Sequence, residues 1–239
     1  MVKVENLVAD GFEASMRGMR NPLNSWAKSD SGYTTISDGE NITNTYTIGP
    51  KDLDLCQRLI KAGPEHSKFL RQINISFDIT APMYMLKELD TYKIGTTSNS
   101  CSTMHKIAAK EFTLEDFSCE HLLGWSENFS AECVINYGHT PDGYPTGTVP
   151  IDLMNKIIKM LNVARDKYLE TKDKKYWWQM IQLLPSSYNQ KRTITMNYAV
   201  ARNIIKQRRN HKLDEWKQFL DSLKDLPYAE ELLFYGLEG

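Results

Sequence analysis

Residues Gln72–Lys106 read QINISFDITAPMYMLKELDTYKIGTTSNSCSTMHK. Ile73, Ile75, Phe77 and Ile79 alternate with Asn74, Ser76 and Asp78, the period-two pattern of a half-buried β-strand. Thr80 is positioned to cap a helix, and Pro82 suits its first turn, where a missing N–H has no partner to lose. Met83, Leu86 and Leu89 fall on one face of that predicted helix, over 81–93, which ends near Gly95. The eight residues 96–103 are small, and seven of them are Ser, Thr or Asn. They predict a polar loop whose hydroxyls and free backbone N–H groups suit a phosphate or another anion. Strand, capped helix and polar loop together present a ligand site.

The rest of the chain bounds what that site can be. Its 239 residues suffice for one large domain or two small ones, with a real core. Hydrophobic residues make up 41%, charged residues 25%, and the formal net charge is −1, which argues against a dedicated nucleic-acid binder. No apolar run reaches the length of a membrane span, and the amino terminus lacks a signal-peptide core. The four cysteines, at 56, 101, 119 and 133, have neither C-x-x-C nor zinc spacing. They are expected to be reduced thiols of a cytoplasmic protein without a metal site.

Residues 1–10 carry Val2, Val4, Leu7 and Val8 and predict an edge strand. Residues 30–49 predict a loop or hairpin, with Tyr46, Thr47 and Ile48 as a short strand. Pro50 opens a helix with Leu53, Cys56, Leu59 and Ile60 at helical spacing, and Gly63 closes it. His66 follows; by position alone it reads as a residue complementing the helix C-terminal dipole. His121, beside Leu122 and Leu123, is expected on a helix. Residues 136–150 read as turn chemistry throughout, with Tyr137 and Tyr144 lining either a pocket or a plain surface loop. From Ile151 to about Glu170 an apolar face recurs at helical spacing. Tyr176, Trp177 and Trp178 start a further helix ending at Leu184-Pro185, its aromatics suited to core or subunit interface.

These segments resemble the flavin-dependent thymidylate synthases. That family carries H-x-[ST]-P-F-E-H, a strand, A-P-x-x-x-x-x-Q, then R-H-R-x-x-S-x-N-x-x-S-x-R-Y. Here the corresponding residues are His66-Ser67-Lys68-Phe69, the strand, Ala81-Pro82, Glu88, Thr91-Tyr92-Lys93, Thr96, Asn99 and Ser102. Trp26-Ala27-Lys28-Ser29 occupies the place of an early family signal. Towards the carboxyl end the family reads L-P, then N-x-R-x-L-x-x-F-L-x-x-R. Asn197 lies twelve residues after Pro185, and Arg208 eleven after Asn197.

The resemblance implies a single α+β domain over 1–239, with mixed helices around a central, mostly antiparallel sheet. It implies reductive methylation of dUMP or a related pyrimidine nucleotide, an FAD-dependent methyltransferase activity of nucleotide biosynthesis. FAD is the implied cofactor, with NADPH and methylene-tetrahydrofolate as co-substrates and a homotetramer as the assembly. Cofactor contacts are expected from His66, Tyr92, Lys93, Thr96, Asn99 and Asn197. Substrate contacts are expected from Glu88, Ser102, His105, Lys106 and Arg208, with Arg208 also the catalytic residue, meeting the pyrimidine through its fork of donors. Standing against that role, Arg208 also reads as a basic helix end beside Lys206 and Arg209.

Several family cations are replaced. Thr91 and Tyr92 stand where the family has Arg and His, Met104 or Thr103 stands for a loop arginine, and Ile181 for another. His105, Lys106, Lys191 and Arg192 are candidate replacements. Glu88 stands for a glutamine, so an acceptor-only group is expected to favour a ligand offering donors, such as an exocyclic amine or sugar hydroxyls. The alternative reading is a non-catalytic binder of a nucleotide or signalling molecule that keeps the fold. A structural protein with no ligand is a third.

Overall fold

The computed structural model describes residues 2–37, 42–127 and 130–237. They form two compact units, interleaved along the chain. One comprises Val2–Thr80, Lys87–Asn99 and the chain from Arg192 onward; the other comprises Ala81–Leu86 and Ser100–Lys191.

In chain order the elements are β1 (Lys3–Asp10), α1 (Phe12–Arg20), β2 (Gly32–Ser37), β3 (Ile42–Thr47), α2 (Pro50–Ala62), β4 (Asn74–Pro82), α3 (Met83–Leu89) and β5 (Thr96–Ser100). Then come α4 (Thr103–Lys106), β6 (Ile135–His139), β7 (Pro145–Thr148), α5 (Pro150–Thr171), α6 (Lys174–Leu183), β8 (Asn189–Asn197), α7 (Tyr198–Arg208) and α8 (Asp214–Ser222). Helices and an antiparallel sheet thus share the chain, as expected for an α+β fold.

A four-stranded sheet in the order β1-β4-β8-β5 organises the first unit. β4 is central because its alternation is strict: Ile73, Ile75, Phe77 and Ile79 are all buried to 1% exposure or less. β1 pairs with it antiparallel from Lys3↔Thr80 to Asp10↔Asn74, with a bulge between Glu5 and Val8. On the polar face, Asp78 accepts from Asn6 and Thr193, and Ser76 bonds Thr195. The apolar side carries the core: Phe77 packs against Phe219 at 5.5 Å, and Trp216, Tyr198, Ile204 and Leu223 are fully buried. β2 and β3 form the hairpin expected in 30–49. α2 runs from Pro50 and stops at Gly63, whose φ of +112° a side chain would strain.

The second unit is built on α5 and α6. Met154, Ile158, Leu161 and Ala164 of α5 meet Met180 of α6 and Ile107, Phe112 and Phe117 of the preceding segment. Asn162 fixes that segment by two bonds, accepting from the Phe112 N–H and donating to its C=O.

Four sequence expectations are corrected. The helix predicted over 81–93 spans only Met83–Leu89, because β4 continues to Pro82. Ala81, the residue before Pro82, is biased to extended backbone, and Thr80 pairs with Lys3 in the sheet, so it stays in the strand instead of opening a helix. Residues 96–100, expected as a loop, are strand β5 at the sheet edge. Successive threonines favour extended backbone, and pairing with β8 takes up part of the backbone expected to face an anion. His121 lies in a turn, where the Leu122 N–H bonds the Cys119 C=O; Gly124 follows, and Leu122 and Leu123 find no core to drive a helix. Residues 135–148 are a hairpin, β6–β7, turning at Asp142-Gly143, where Gly143 has a φ of +86°.

Among the described residues no helix is long and apolar enough to cross a membrane, and no three His, Cys, Asp or Glu side chains gather as metal ligands.

Candidate active site

The first unit brings the carboxyl ends of α3 and α7 together. α7 starts at Asn197, whose Oδ1 accepts the Val200 N–H at 3.1 Å, a standard helix cap. It ends at Arg208, beside Glu88 one residue before the end of α3. Arg208 Nη1 forms an ion pair with Glu88 Oε2 at 2.8 Å, and Nε donates to the Tyr92 hydroxyl at 2.9 Å. Tyr92 in turn donates to Gln207 Oε1 at 3.0 Å. The guanidinium lies over the Trp216 ring at 4.9 Å and the Tyr92 ring at 5.7 Å. Such stacking on desolvated rings is worth about 0.5–2 kcal/mol.

Glu88 Oε2 is the hub. Besides Arg208 it accepts the Trp216 indole N–H at 2.9 Å and lies 3.3 Å from His211 Nε2. The side chains of Glu88, Arg208 and His211 are 34%, 19% and 24% exposed, so the group forms a half-buried wall that a ligand can reach. Glu88 Oε1 and Arg208 Nη2 have no protein partner among the described residues. The wall therefore presents one anionic acceptor and one cationic donor, framed by two aromatic rings.

Asn197 marks a second place in the same unit. Its Nδ2 faces Gly95, where a Cβ would stand 3.0 Å from that nitrogen and 3.2 Å from Val200. Gly95 has a φ of +79°, so this close backbone approach needs glycine. The neighbouring Thr96 Oγ1 is buried with no hydrogen-bond partner. A free amide donor and an orphaned hydroxyl at one backbone turn fit the polar edge of a flavin.

The remaining expected site residues distribute as follows. Tyr92 is buried, its hydroxyl taken up by Arg208 and Gln207, so it supports the guanidinium. Arg208, expected at an exposed helix end, is tied into the wall instead. Lys93 and Asn99 are exposed near the sheet edge, and His66 is exposed in the turn after α2, its N–H bonded to the Gly63 C=O. Ser102, His105 and Lys106 belong to the second unit. There Ser102 caps α4 through the His105 N–H and bonds His105 Nδ1 at 2.7 Å. Of the candidate replacement cations, Arg192 is paired with Asp90 at 2.6 Å. His211 and the indole N–H of Trp216 were not singled out by sequence reasoning. The only signal was a histidine three residues beyond an arginine already under suspicion.

No family profile matches the chain, and no curated protein sequence does. Solved structures do. The flavin-dependent thymidylate synthase ThyX from Helicobacter pylori, complexed with FAD and dUMP, superimposes with a TM-score of 0.62 at 16% identity, over 98% of each chain. The UMP/dUMP methylase PolB from Streptomyces cacaoi, bound with 5-Br dUMP, gives a TM-score of 0.57 at 14% identity, over 99% of this chain and 97% of that one. Likeness along the whole chain at such low identity is likeness of backbone, and it extends across the motif segments quoted above. The chain has the fold of the flavin-dependent thymidylate synthases.

Proposed function

We propose that this protein binds a uracil nucleotide at the Glu88–Arg208 wall and takes part in its reductive methylation. The observation that carries the reading is the adjacent free acceptor and donor, Glu88 Oε1 and Arg208 Nη2, set between Tyr92 and Trp216. Uracil offers an N–H flanked by carbonyls. That edge satisfies both groups at once, the N–H donating to the carboxylate and a carbonyl accepting from the guanidinium. An imide thus meets the demand for a donor that Glu88 imposes, without an exocyclic amine. The two ring-stacked residues hold the fork in one orientation, which is the positioning this chemistry asks of a protein.

Thr96 and Asn197 are the residues proposed to hold FAD, with Lys93 beside them as the nearest cation of that loop. When bound, reduced FAD replenished by NADPH supplies reducing equivalents, and methylene-tetrahydrofolate supplies the carbon. The residues of this chain bind, orient and exclude water; no side-chain nucleophile is required of them. We place the activity in a cytoplasmic homotetramer.

A second reading, nucleotide binding without catalysis, is favoured by the lost cations: Thr91 and either Met104 or Thr103 stand where the family has arginines, and Arg192 is engaged by Asp90. One set of measurements separates the two. Purified protein is titrated with dUMP, UMP and FAD, its mass is read by light scattering, and methyl transfer is assayed with NADPH and methylene-tetrahydrofolate. Uptake of FAD with a visible absorption band, a tetrameric mass and product formation support the enzyme. Tight nucleotide binding with no FAD uptake supports the binder. Failure to bind either nucleotide ends the proposal.

A further inference from the structure

Between the β2–β3 hairpin and the start of α1, within the first unit, lies a cavity of about 730 Å³, a volume suited to a small ligand. Two pairs of aromatic rings line it, one from each wall. Tyr33 and Tyr46, partners in the hairpin register, meet edge to face at 5.3 Å. Phe12, the first residue of α1, meets Tyr228 at 5.8 Å. Two hydrogen bonds tie the walls together. The Tyr33 hydroxyl donates to Glu13 Oε2 at 2.9 Å, and the Ile48 N–H donates to the Tyr228 hydroxyl at 2.8 Å. Tyr228 is held at a φ of +56°, a left-handed backbone unfavourable to a residue with a Cβ. Core packing accounts for Phe12, which is buried against Tyr198. It does not account for Tyr33, which is 63% exposed.

The charge of the cavity has one sign. Asp10 and Glu13 line it, and no Lys, Arg or His does. Arg17, which does not line it, reaches Glu13 Oε1 at 3.5 Å as an i,i+4 pair on α1. The Asp10 side chain has no partner among the described residues. The residues outside the described ones bring no cationic side chain: position 1 is Met, 38–41 are Asp, Gly, Glu and Asn, 128–129 are Asn and Phe, and 238–239 are Glu and Gly. One negative charge is thus left open beside the rings. Glu13 also raises the pKa of the Tyr33 hydroxyl, through its hydrogen bond and then its charge, so that ring stays a neutral phenol.

We infer that this cavity binds a small organic monocation, an ammonium group carrying alkyl substituents. The assignment rests on two observations together, rings converging on a cavity and an uncompensated carboxylate among them, and it stands independently of the pyrimidine site. The faces of aromatic rings attract cations, and a cage of such rings beside an acid is the arrangement that recognises alkylated ammonium groups. An anion meets the wrong sign here, and an uncharged ligand makes no use of Asp10.

The test is calorimetric titration of the whole protein with choline and, separately, with acetylcholine, at low and at high salt. The controls are their uncharged carbon isosteres, with a tert-butyl group in place of trimethylammonium. At least one cation binds saturably, and its isostere binds about five-fold more weakly or worse. Tyr33→Leu, at an exposed position, weakens the cation by about five-fold. Asp10→Asn weakens it and flattens its salt dependence, a readout that a merely structural role would not move. Tyr137→Leu, at a similarly exposed tyrosine of the β6–β7 hairpin, leaves binding unchanged. Unaltered melting temperatures establish that the variants are folded. No saturable binding of either cation, equal binding of the isosteres, or an equal loss from Tyr137→Leu overturns the inference.

Discussion

Arg208 and Glu88, 120 positions apart in sequence and each in the last turn of its helix, form an ion pair at 2.8 Å. Each keeps one polar atom in reserve. Arg208→Ala removes the donor a pyrimidine carbonyl needs, so dUMP affinity is expected to fall about ten- to a hundred-fold. It also removes the stacking on Trp216, and with it about 1 kcal/mol of stability, a modest figure because the pair is partly solvated. Arg209→Ala, one residue on and about 100° around the helix, is expected to leave dUMP binding unaltered. Equal losses from the two substitutions in a dUMP titration would mean that the wall is not the nucleotide site.

Gly95 and Gly63 make a controlled pair. Both have positive φ, but a Cβ at Gly63 meets nothing within 4 Å, whereas one at Gly95 presses on Asn197 Nδ2 and Val200. Gly63→Ala is therefore expected to cost about 1 kcal/mol of backbone strain and nothing else. Gly95→Ala is expected to carry the same strain and to displace the Asn197 amide, weakening FAD uptake measured by absorbance. Unchanged FAD uptake in folded Gly95→Ala protein would remove Asn197 from the cofactor site.

How much of this was legible beforehand depends on how far apart the contributing residues lie. β4 could be read because one face is buried and the other is not, and α5 because its apolar positions recur at helical spacing. β5 was hidden because an edge strand of Thr, Ser and Asn carries no hydrophobic period. The β6–β7 hairpin had its signal in Asp142-Gly143, outweighed in the reading by the density of turn residues around it. Asn197 and Arg208 were reachable because their separation resembles that of the family motif. Their surroundings were not, since Glu88, Tyr92 and Trp216 meet only after the sheet folds.

Asp52 offers the clearest prediction of stability. Its carboxylate is fully buried, bonded by Arg20 Nε and by the Ser29 and Ser31 hydroxyls at 2.5 Å each. Burial alone would raise the Asp52 pKa; the Ser29, Ser31 and Arg20 hydrogen bonds and the Arg20 charge outweigh it and hold it below its ordinary value. The sign follows from linkage. A carboxyl depressed on folding contributes its stabilisation in full above its unfolded pKa, about 3.9, and loses it as pH falls through the lower folded value. Urea midpoints of the wild type are thus expected to drop between about pH 5 and pH 3, in the range where Asp52 begins to take up its proton in the unfolded state. Asp52→Ala strands the buried Arg20 guanidinium, and such a break costs about 3–5 kcal/mol. The variant is expected to be far less stable at pH 7 but to lose less on acidification than the wild type. Identical acid slopes for the two proteins would assign the acid sensitivity to other carboxylates.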